Sequence, residues 1–218
     1  MPYLPIKDRI DYSFGVKIFF ALLLPVIFEA WNIQQPSKEI TQEATFGLGC
    51  FWHSEEFFLN VRGVEESVPG YSGGNAKDAN YKKVSTGKTG HAEVVNIRFN
   101  PKIISYKQLL EMFFGSHDPT TLNRQDPDVG PQYRSVIFYH NAEQKTVAEK
   151  YISELNSARK YKVPIVTQLV PFRAFYKAES YHNRYYRNHP DEPYIRNVTK
   201  PQVEKFKRDF KKYLKTIN

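Results

Sequence analysis

The stretch GCFWHSEEFF, residues 49–58, holds the only cysteine in 218 residues, set between a glycine and two aromatics. Thr45 to Leu48 reads as a short strand and Phe51 to Asn60 as a helix, with Gly49 at the junction. A cysteine at the first turn of a helix meets the positive end of the helix dipole and free backbone N–H groups, and both favour thiolate over thiol. Glu55 and Glu56, one turn further on, oppose that thiolate if they face it. On position alone Cys50 also fits a small apolar filler at a strand end. Phe51 and Trp52 point about 100° apart on a helix, so one of them is free to line a pocket beside the sulfur.

Working outward, Val64 to Val68 is strand-like before the turn-rich PGYSGGN, and His91 to Phe99 alternates as another strand. A helix follows from Ser105, at the cap position, through Phe114, with Leu109, Leu110, Met112 and Phe113 facing inward. Tyr133 to His140 is a strand rich in β-formers, Asn141 caps a helix to about Ala158, and Ile165 to Val170 supplies one more strand. The order β-α-β-β-α-β-α-β predicts an α+β fold, a mixed sheet with helices packed on it, of the split βαβ kind.

Upstream, Lys7, Arg9 and Lys17 precede an uninterrupted apolar run from Ile18 to Phe28. A positive n-region and a short h-region are the marks of a secretory signal, an uncleaved anchor or a buried apolar helix. Residues 1–31 are therefore read as a signal or membrane anchor, which implies export to the periplasm, the secretory pathway or the cell surface. Residues 32–43 are polar and aperiodic, a linker. The main domain spans 44–198, and 199–218 forms a basic C-terminal helix with Val203, Phe206, Phe210 and Tyr213 on one face.

The composition narrows the chemistry. A formal charge of +8 permits weak attraction to anionic surfaces, but no nucleic-acid motif accompanies it, and a monomer without a nucleic-acid partner is expected. One cysteine cannot form an internal disulfide, so the thiol is either filler or reagent. The glycines between residues 70 and 94 suggest an ordered but irregular loop, but they lack the GxxxxGK[ST] spacing of a phosphate cradle. His91-Ala92-Glu93 hints at zinc, yet there is no HExxH and the six histidines are scattered. Asp128 and Tyr133 pass, on their own, for turn and strand-start residues.

Taken together and in order, GCFW followed by an acidic residue, GYSGG, YKKVSTGKTGHAE, ISYKQLLEMFF, HDPT and DVGPQYRS resemble the A-type peptide methionine sulfoxide reductases. The likeness covers roughly residues 44 to 190. It implies a mixed α/β sandwich around a ferredoxin-like core and reduction of the S epimer of methionine sulfoxide in oxidised proteins or peptides. By the same resemblance Cys50 is the nucleophile and becomes a sulfenic acid. Glu93 is the proton donor, which requires it to be protonated. Tyr81 and Tyr133 hold the sulfoxide oxygen, Asp128 orders a water or the nearby loop, and Phe51 and Trp52 enclose the S-methyl group. No bound cofactor and no metal is implied.

The chain departs from many members in lacking further cysteines near its C-terminus. The oxidised Cys50 must then be reduced by an external thiol, from thioredoxin, glutaredoxin or a small molecule. Two rival readings remain at this point: a cysteine hydrolase using His91 or His182 as base, and a membrane-tethered binding module using the basic tail.

Overall fold

A computed structural model describes residues 40–216. The expected signal or anchor at 1–31 and the first part of the linker lie outside the described residues. Among the described residues no helix is long and apolar enough to cross a membrane.

Strand β1 (Gln42–Leu48) leads into helix α1 (Phe51–Leu59), followed by β2 (Val64–Ser72), a short helix α2 (Tyr81–Val84), β3 (Ala92–Phe99) and α3 (Tyr106–Ser116). A two-residue hairpin pair, β4 (Arg124–Gln125) and β5 (Asp128–Val129), precedes β6 (Ser135–Tyr139) and α4 (Ala142–Ser157). The chain closes with β7 (Gln168–Pro171), β8 (Tyr176–Lys177), a helical turn α5 (Tyr185–Asn188) and α6 (Lys200–Asp209). The main sheet has six strands in the order β7-β6-β1-β3-β2-β8, all antiparallel neighbours except the parallel pair β6 and β7. Strands β6-β1-β3-β2, with α1 and α3 as their crossovers, form the expected ferredoxin-like core. Helix α4 carries the chain onward to β7, the connection a parallel strand requires.

The elements begin where their residues can satisfy free backbone groups. Ser105 accepts a hydrogen bond from the Gln108 N–H while the Gln108 side chain accepts from the Ser105 N–H, a complete capping box for α3. Asn141 accepts from the Gln144 N–H at 2.9 Å and opens α4. Over β1, Phe46 meets Phe58 of α1 at 5.8 Å and Phe113 of α3 at 5.1 Å between ring centroids, which places both helices on one face of the sheet. The opposite face buries Ala92, Val94, Val136 and Phe138 beneath Val170, Phe172 and Phe175.

Two expectations need correction. PGYSGGN is not a turn from its first residue: Pro69 to Ser72 continue β2, paired with β3 as far as Ser72 opposite Ala92. Proline is tolerated because the Pro69 carbonyl points outward and accepts from the Ala178 N–H at 3.0 Å. The missing N–H lies on that same side, so no bond to β3 is lost. The glycine-rich interval after it is, as expected, an ordered but irregular loop, with Asn80 capping the short α2 through the Lys83 N–H. At the C-terminus, α6 packs against α1, burying Val203 and Phe206, and Phe206 stacks on Phe57 with centroids 4.6 Å apart. The apolar face of the basic tail is thus part of the core and is not presented to a membrane or partner.

Candidate active site

Gly49 and Cys50 form the joint between β1 and α1. Gly49 has φ of 99°, a left-handed conformation that side chains resist, and a Cβ there would lie 3.0 Å from Gln125. The turn swings Cys50 into the N-cap position of α1, one residue earlier than a first-turn placement. There the sulfur is nearly enclosed, with Cys50 5% exposed.

Glu93 reaches the same point from β3. It shares the core-facing side of the strand with Val95 and Ile97, so a carboxyl group is set into an apolar layer, 2% exposed. Its Oε2 accepts the Phe51 backbone N–H at 3.1 Å. Burial pushes the Glu93 carboxyl up to about 8, the Phe51 N–H draws it back in part, and the Asp128 charge adds to the rise. At neutral pH Glu93 is therefore mostly protonated.

Cys50, Phe51, Trp52, Tyr81, Glu93, Asp128 and Tyr133 all line one cavity of about 240 Å³. The seven residues singled out in the sequence come from α1, α2, β3, β5 and the turn Pro131–Tyr133, and the fold brings every one of them together. Glu192 and Tyr194 complete the lining and were missed. The Tyr194 hydroxyl donates to Asp128 Oδ2 at 2.5 Å and stands on the edge of Trp52 at 5.7 Å.

Supporting residues were missed as well. Glu179 accepts the Tyr71 hydroxyl and the Tyr81 backbone N–H, each at 2.9 Å, and so fixes the start of α2 beneath Tyr81. His182 Nδ1 accepts the Trp52 indole N–H at 3.0 Å, while Tyr185 stacks on the indole with centroids 3.9 Å apart. The sequence signal for this wall was its density of aromatics, YHNRYY with a later PY, in a segment without periodicity.

The expectation of a favoured thiolate is not met in the unliganded site. Burial pushes the Cys50 thiol well up, and the Glu93 and Asp128 charges push the same way; only the Trp52 N–H and the Tyr194 hydroxyl draw it down. The helix terminus is outweighed because it acts through partial charges, whereas burial removes the thiolate from water altogether. Glu55 and Glu56 do not contribute. Glu55 accepts the Arg184 N–H at 2.8 Å, and Glu56 takes a two-pronged pair from Arg187 at 2.7 and 3.2 Å, both turned away from the sulfur.

The hydrolase reading fails on the histidines. Among the described residues none lines the cavity. His91 accepts the Gly74 N–H and faces the Asn75 carbonyl, and His182 is taken by Trp52. Among the described residues no group of three or more His, Cys, Asp or Glu is arranged to hold a metal ion. A buried thiol beside a carboxyl group pushed up by burial and three phenols, with no histidine among the described residues lining the cavity, fits a thiol-dependent oxidoreductase.

The chain matches the peptide methionine sulfoxide reductase family over residues 42–214. It is 52% identical to the peptide methionine sulfoxide reductase MsrA of Sulfolobus acidocaldarius over 167 residues, 77% of this chain and 94% of that protein. It is 51% identical to MsrA of Thermus thermophilus over 172 residues, 79% and 97% of the two chains. The crystal structure of Mxr1 from Saccharomyces cerevisiae in reduced form superposes with a TM-score of 0.64 at 33% identity, covering 69% of this chain and 87% of that one. The chain belongs to the peptide methionine sulfoxide reductase family, and its activity is the reduction of methionine sulfoxide, a repair of oxidised protein.

Proposed function

We propose that the chain reduces the S epimer of methionine sulfoxide, free or in proteins, by way of a sulfenic acid on Cys50. The observation that carries this reading is the placement of Cys50 and the protonated Glu93 against one small cavity walled by Phe51, Trp52 and three tyrosines, with Asp128 and Glu192 completing it. The Cys50 thiolate attacks the sulfoxide sulfur while Glu93 gives its proton to the oxygen. The S–O bond breaks, the protonated oxygen passes to the Cys50 sulfur, and methionine leaves reduced by two electrons as Cys50 is oxidised by two. Protonation is needed because an unprotonated oxygen is a very poor leaving group. Tyr81 and Tyr133 hold that oxygen through their hydroxyls. Burial and the nearby Glu93 charge push both phenols up, Tyr81 to about 12, so each keeps its hydrogen to donate. Phe51 and Trp52 enclose the S-methyl group.

Cys50 is the only cysteine, so the sulfenic acid passes to an outside thiol. That thiol displaces water to form a mixed disulfide, and a second thiol, from a thioredoxin or glutaredoxin or a small molecule, releases Cys50. The apolar run at Ile18 to Phe28 supports export, with the reductant supplied in that compartment; N-terminal sequencing of protein recovered from each cell fraction tests this.

Purified protein with dithiothreitol and resolved epimers of dabsyl-methionine sulfoxide tests the activity. Loss of the S epimer alone, abolished in Cys50→Ser, is expected. Equal consumption of both epimers, or full activity in Cys50→Ser, overturns the assignment.

A further inference from the structure

The cavity contains one hydroxyl with two competing acceptors. Tyr194 donates to Asp128 Oδ2 at 2.5 Å, and its hydroxyl shares one small cavity with the Cys50 sulfur, whose thiol it draws down. A phenol has one hydrogen, so it serves only one of the two at a time. While Asp128 is ionised, the hydrogen turns to the carboxylate. Once Asp128 is protonated, its own O–H donates to the phenol oxygen, and the phenol hydrogen turns to the sulfur. Thiol with carboxylate, and thiolate with carboxylic acid, are two states of one chain of hydrogen bonds. They hold the same number of protons and the same net charge, so exchange between them buries no additional charge.

The backbone holds Tyr194 for this purpose. Glu192 Oε2 accepts the Ile195 N–H at 2.9 Å, Ile195 is buried, and the ring of Tyr194 rests edge-on against Trp52. The charged and titratable groups that line the cavity with the sulfur are Glu93 from β3, Asp128 from β5, Tyr81 from α2, Tyr133 from the turn before β6, Glu192 from the segment before α6, and Tyr194 itself. Glu93 is committed to the sulfoxide oxygen and is mostly protonated, so it is not the acceptor for the thiol proton.

We propose that Tyr194 is a catalytic residue that passes the Cys50 proton to Asp128 before attack on the sulfoxide and returns it to the oxygen that leaves as water during thiol reduction. This rests on Cys50 being the nucleophile and adds the route of its proton. In the first half-reaction Cys50 thiol and Asp128 carboxylate become thiolate and acid. Glu93 then protonates the sulfoxide oxygen, leaving Cys50 sulfenic acid, ionised Glu93 and protonated Asp128. In the second half-reaction the incoming thiol gives its proton to Glu93 and attacks the Cys50 sulfur. The S–O bond breaks, Asp128 protonates the departing oxygen through Tyr194, and water leaves beside the mixed disulfide. A second thiol, giving a free disulfide, restores Cys50 with its proton, and both carboxyl groups are as they began.

The route fixes a pH signature. Its starting state needs Asp128 ionised and Glu93 protonated, so the single-turnover rate of sulfenic acid formation falls as pH rises through about 8. If the thiol proton must instead escape to solvent, the thiolate fraction grows with pH while protonated Glu93 is lost above about 8, so the rate climbs up to about 8 and levels off above it. Tyr194→Phe keeps the ring and its edge contact but removes the hydroxyl. It is expected to slow sulfenic acid formation at neutral pH by at least about tenfold. It also changes the pH trend to one that rises up to about 8 and levels off above it, raises the pH midpoint of Cys50 alkylation by iodoacetamide, and slows reduction of preformed sulfenic acid. Asp128→Asn likewise slows sulfenic acid formation and changes the pH trend, but it removes a charge that pushes the Cys50 thiol up and so lowers the alkylation midpoint; the double variant forms sulfenic acid no more slowly than either single one.

A wild-type rate that climbs up to about pH 8 and holds level above it, unchanged half-reactions in Tyr194→Phe, or an Asp128→Asn profile identical to wild type overturns the proposal. If Tyr194→Phe does not fold, the Asp128→Asn profile and the wild-type trend decide it. Activity retained in Cys50→Ser removes the nucleophile reading itself, an outcome distinct from all of these.

Discussion

Glu93 on β3 and Phe51 on α1 are joined by a 3.1 Å hydrogen bond from the Phe51 N–H to Glu93 Oε2, so the acid is tied to the residue next to the nucleophile. The bond ties sheet and helix at the one place where a proton donor must keep its distance from a sulfur. Its cost is set by the surroundings: the acceptor is a carboxyl group buried among Val95 and Ile97.

Glu93→Gln exposes that cost. The folded-state value of about 8 lies above the ordinary 4.5, so unfolded chains release this proton first as pH rises. Stability from the protonated carboxyl is complete below pH 4.5 and drains away through about 8, at roughly 1.4 kcal/mol per pH unit. Glutamine cannot ionise and still accepts the Phe51 N–H. The variant should lose at least about a hundredfold in sulfenic acid formation. Its stability in urea should exceed wild type by a margin that grows between pH 5 and 8, to on the order of 4 kcal/mol. A margin that stays flat with pH contradicts the buried-acid account.

Trp52→Phe separates binding from thiol chemistry. The indole donates to His182, stacks on Tyr185 and borders the cavity, while the Trp52 group that draws the Cys50 thiol down is its backbone N–H, which the substitution keeps. KM for methionine sulfoxide should rise about tenfold, consistent with roughly 1–2 kcal/mol of lost contact. The rate of Cys50 alkylation without substrate should stay within about twofold of wild type. A change confined to alkylation indicates that Trp52 acts on the nucleophile instead of the substrate.

The fold was legible wherever local rules and burial agree. Ser105 at the cap of α3 and the alternation of β3 each specify an element within a few residues. The site was legible only through its motifs, because its seven residues are brought together by tertiary folding. What stayed hidden depends on distant partners. Tyr194 meets Asp128 across 66 residues, and Glu55 and Glu56 find Arg184 and Arg187 across 129 and 131. No local pattern says which way those glutamates turn. The thiolate expectation failed for a related reason: a helix terminus is visible in sequence, whereas the burial that outweighs it is a property of the assembled core.

Phe206→Ala tests whether the C-terminal helix belongs to the folding unit. Phe206 is 2% exposed, stacks on Phe57 and touches Phe58 and Phe210. Truncation should cost about 3–5 kcal/mol in urea unfolding, with one transition by fluorescence and circular dichroism. Two separate transitions, or a loss under about 1 kcal/mol, would show that the helix is an appendage.

Arg187→Ala addresses the wall that carries Tyr185 and Tyr194. The Glu56 side chain is 5% exposed, and its carboxylate depends on Arg187 and on the Asn60 amide at 2.8 Å. Removing the guanidinium leaves a buried carboxylate with one side-chain partner, which is far worse than never having had the charge. The Arg187 side chain is 43% exposed, so solvent reaches the gap and moderates the loss to about 1–2 kcal/mol. Lysine keeps the charge but not the two-pronged geometry, so Arg187→Lys should recover only part of it. Because α5 presses Tyr185 onto Trp52, loosening this attachment should raise KM severalfold while leaving Cys50 alkylation unchanged. In the Glu56→Gln background the effect of Arg187→Ala should shrink to within about 0.5 kcal/mol, since no buried charge is then abandoned. A double-mutant cycle in which the two losses simply add means that Arg187 works by packing, and that the ion pair does not hold the wall of the site in place.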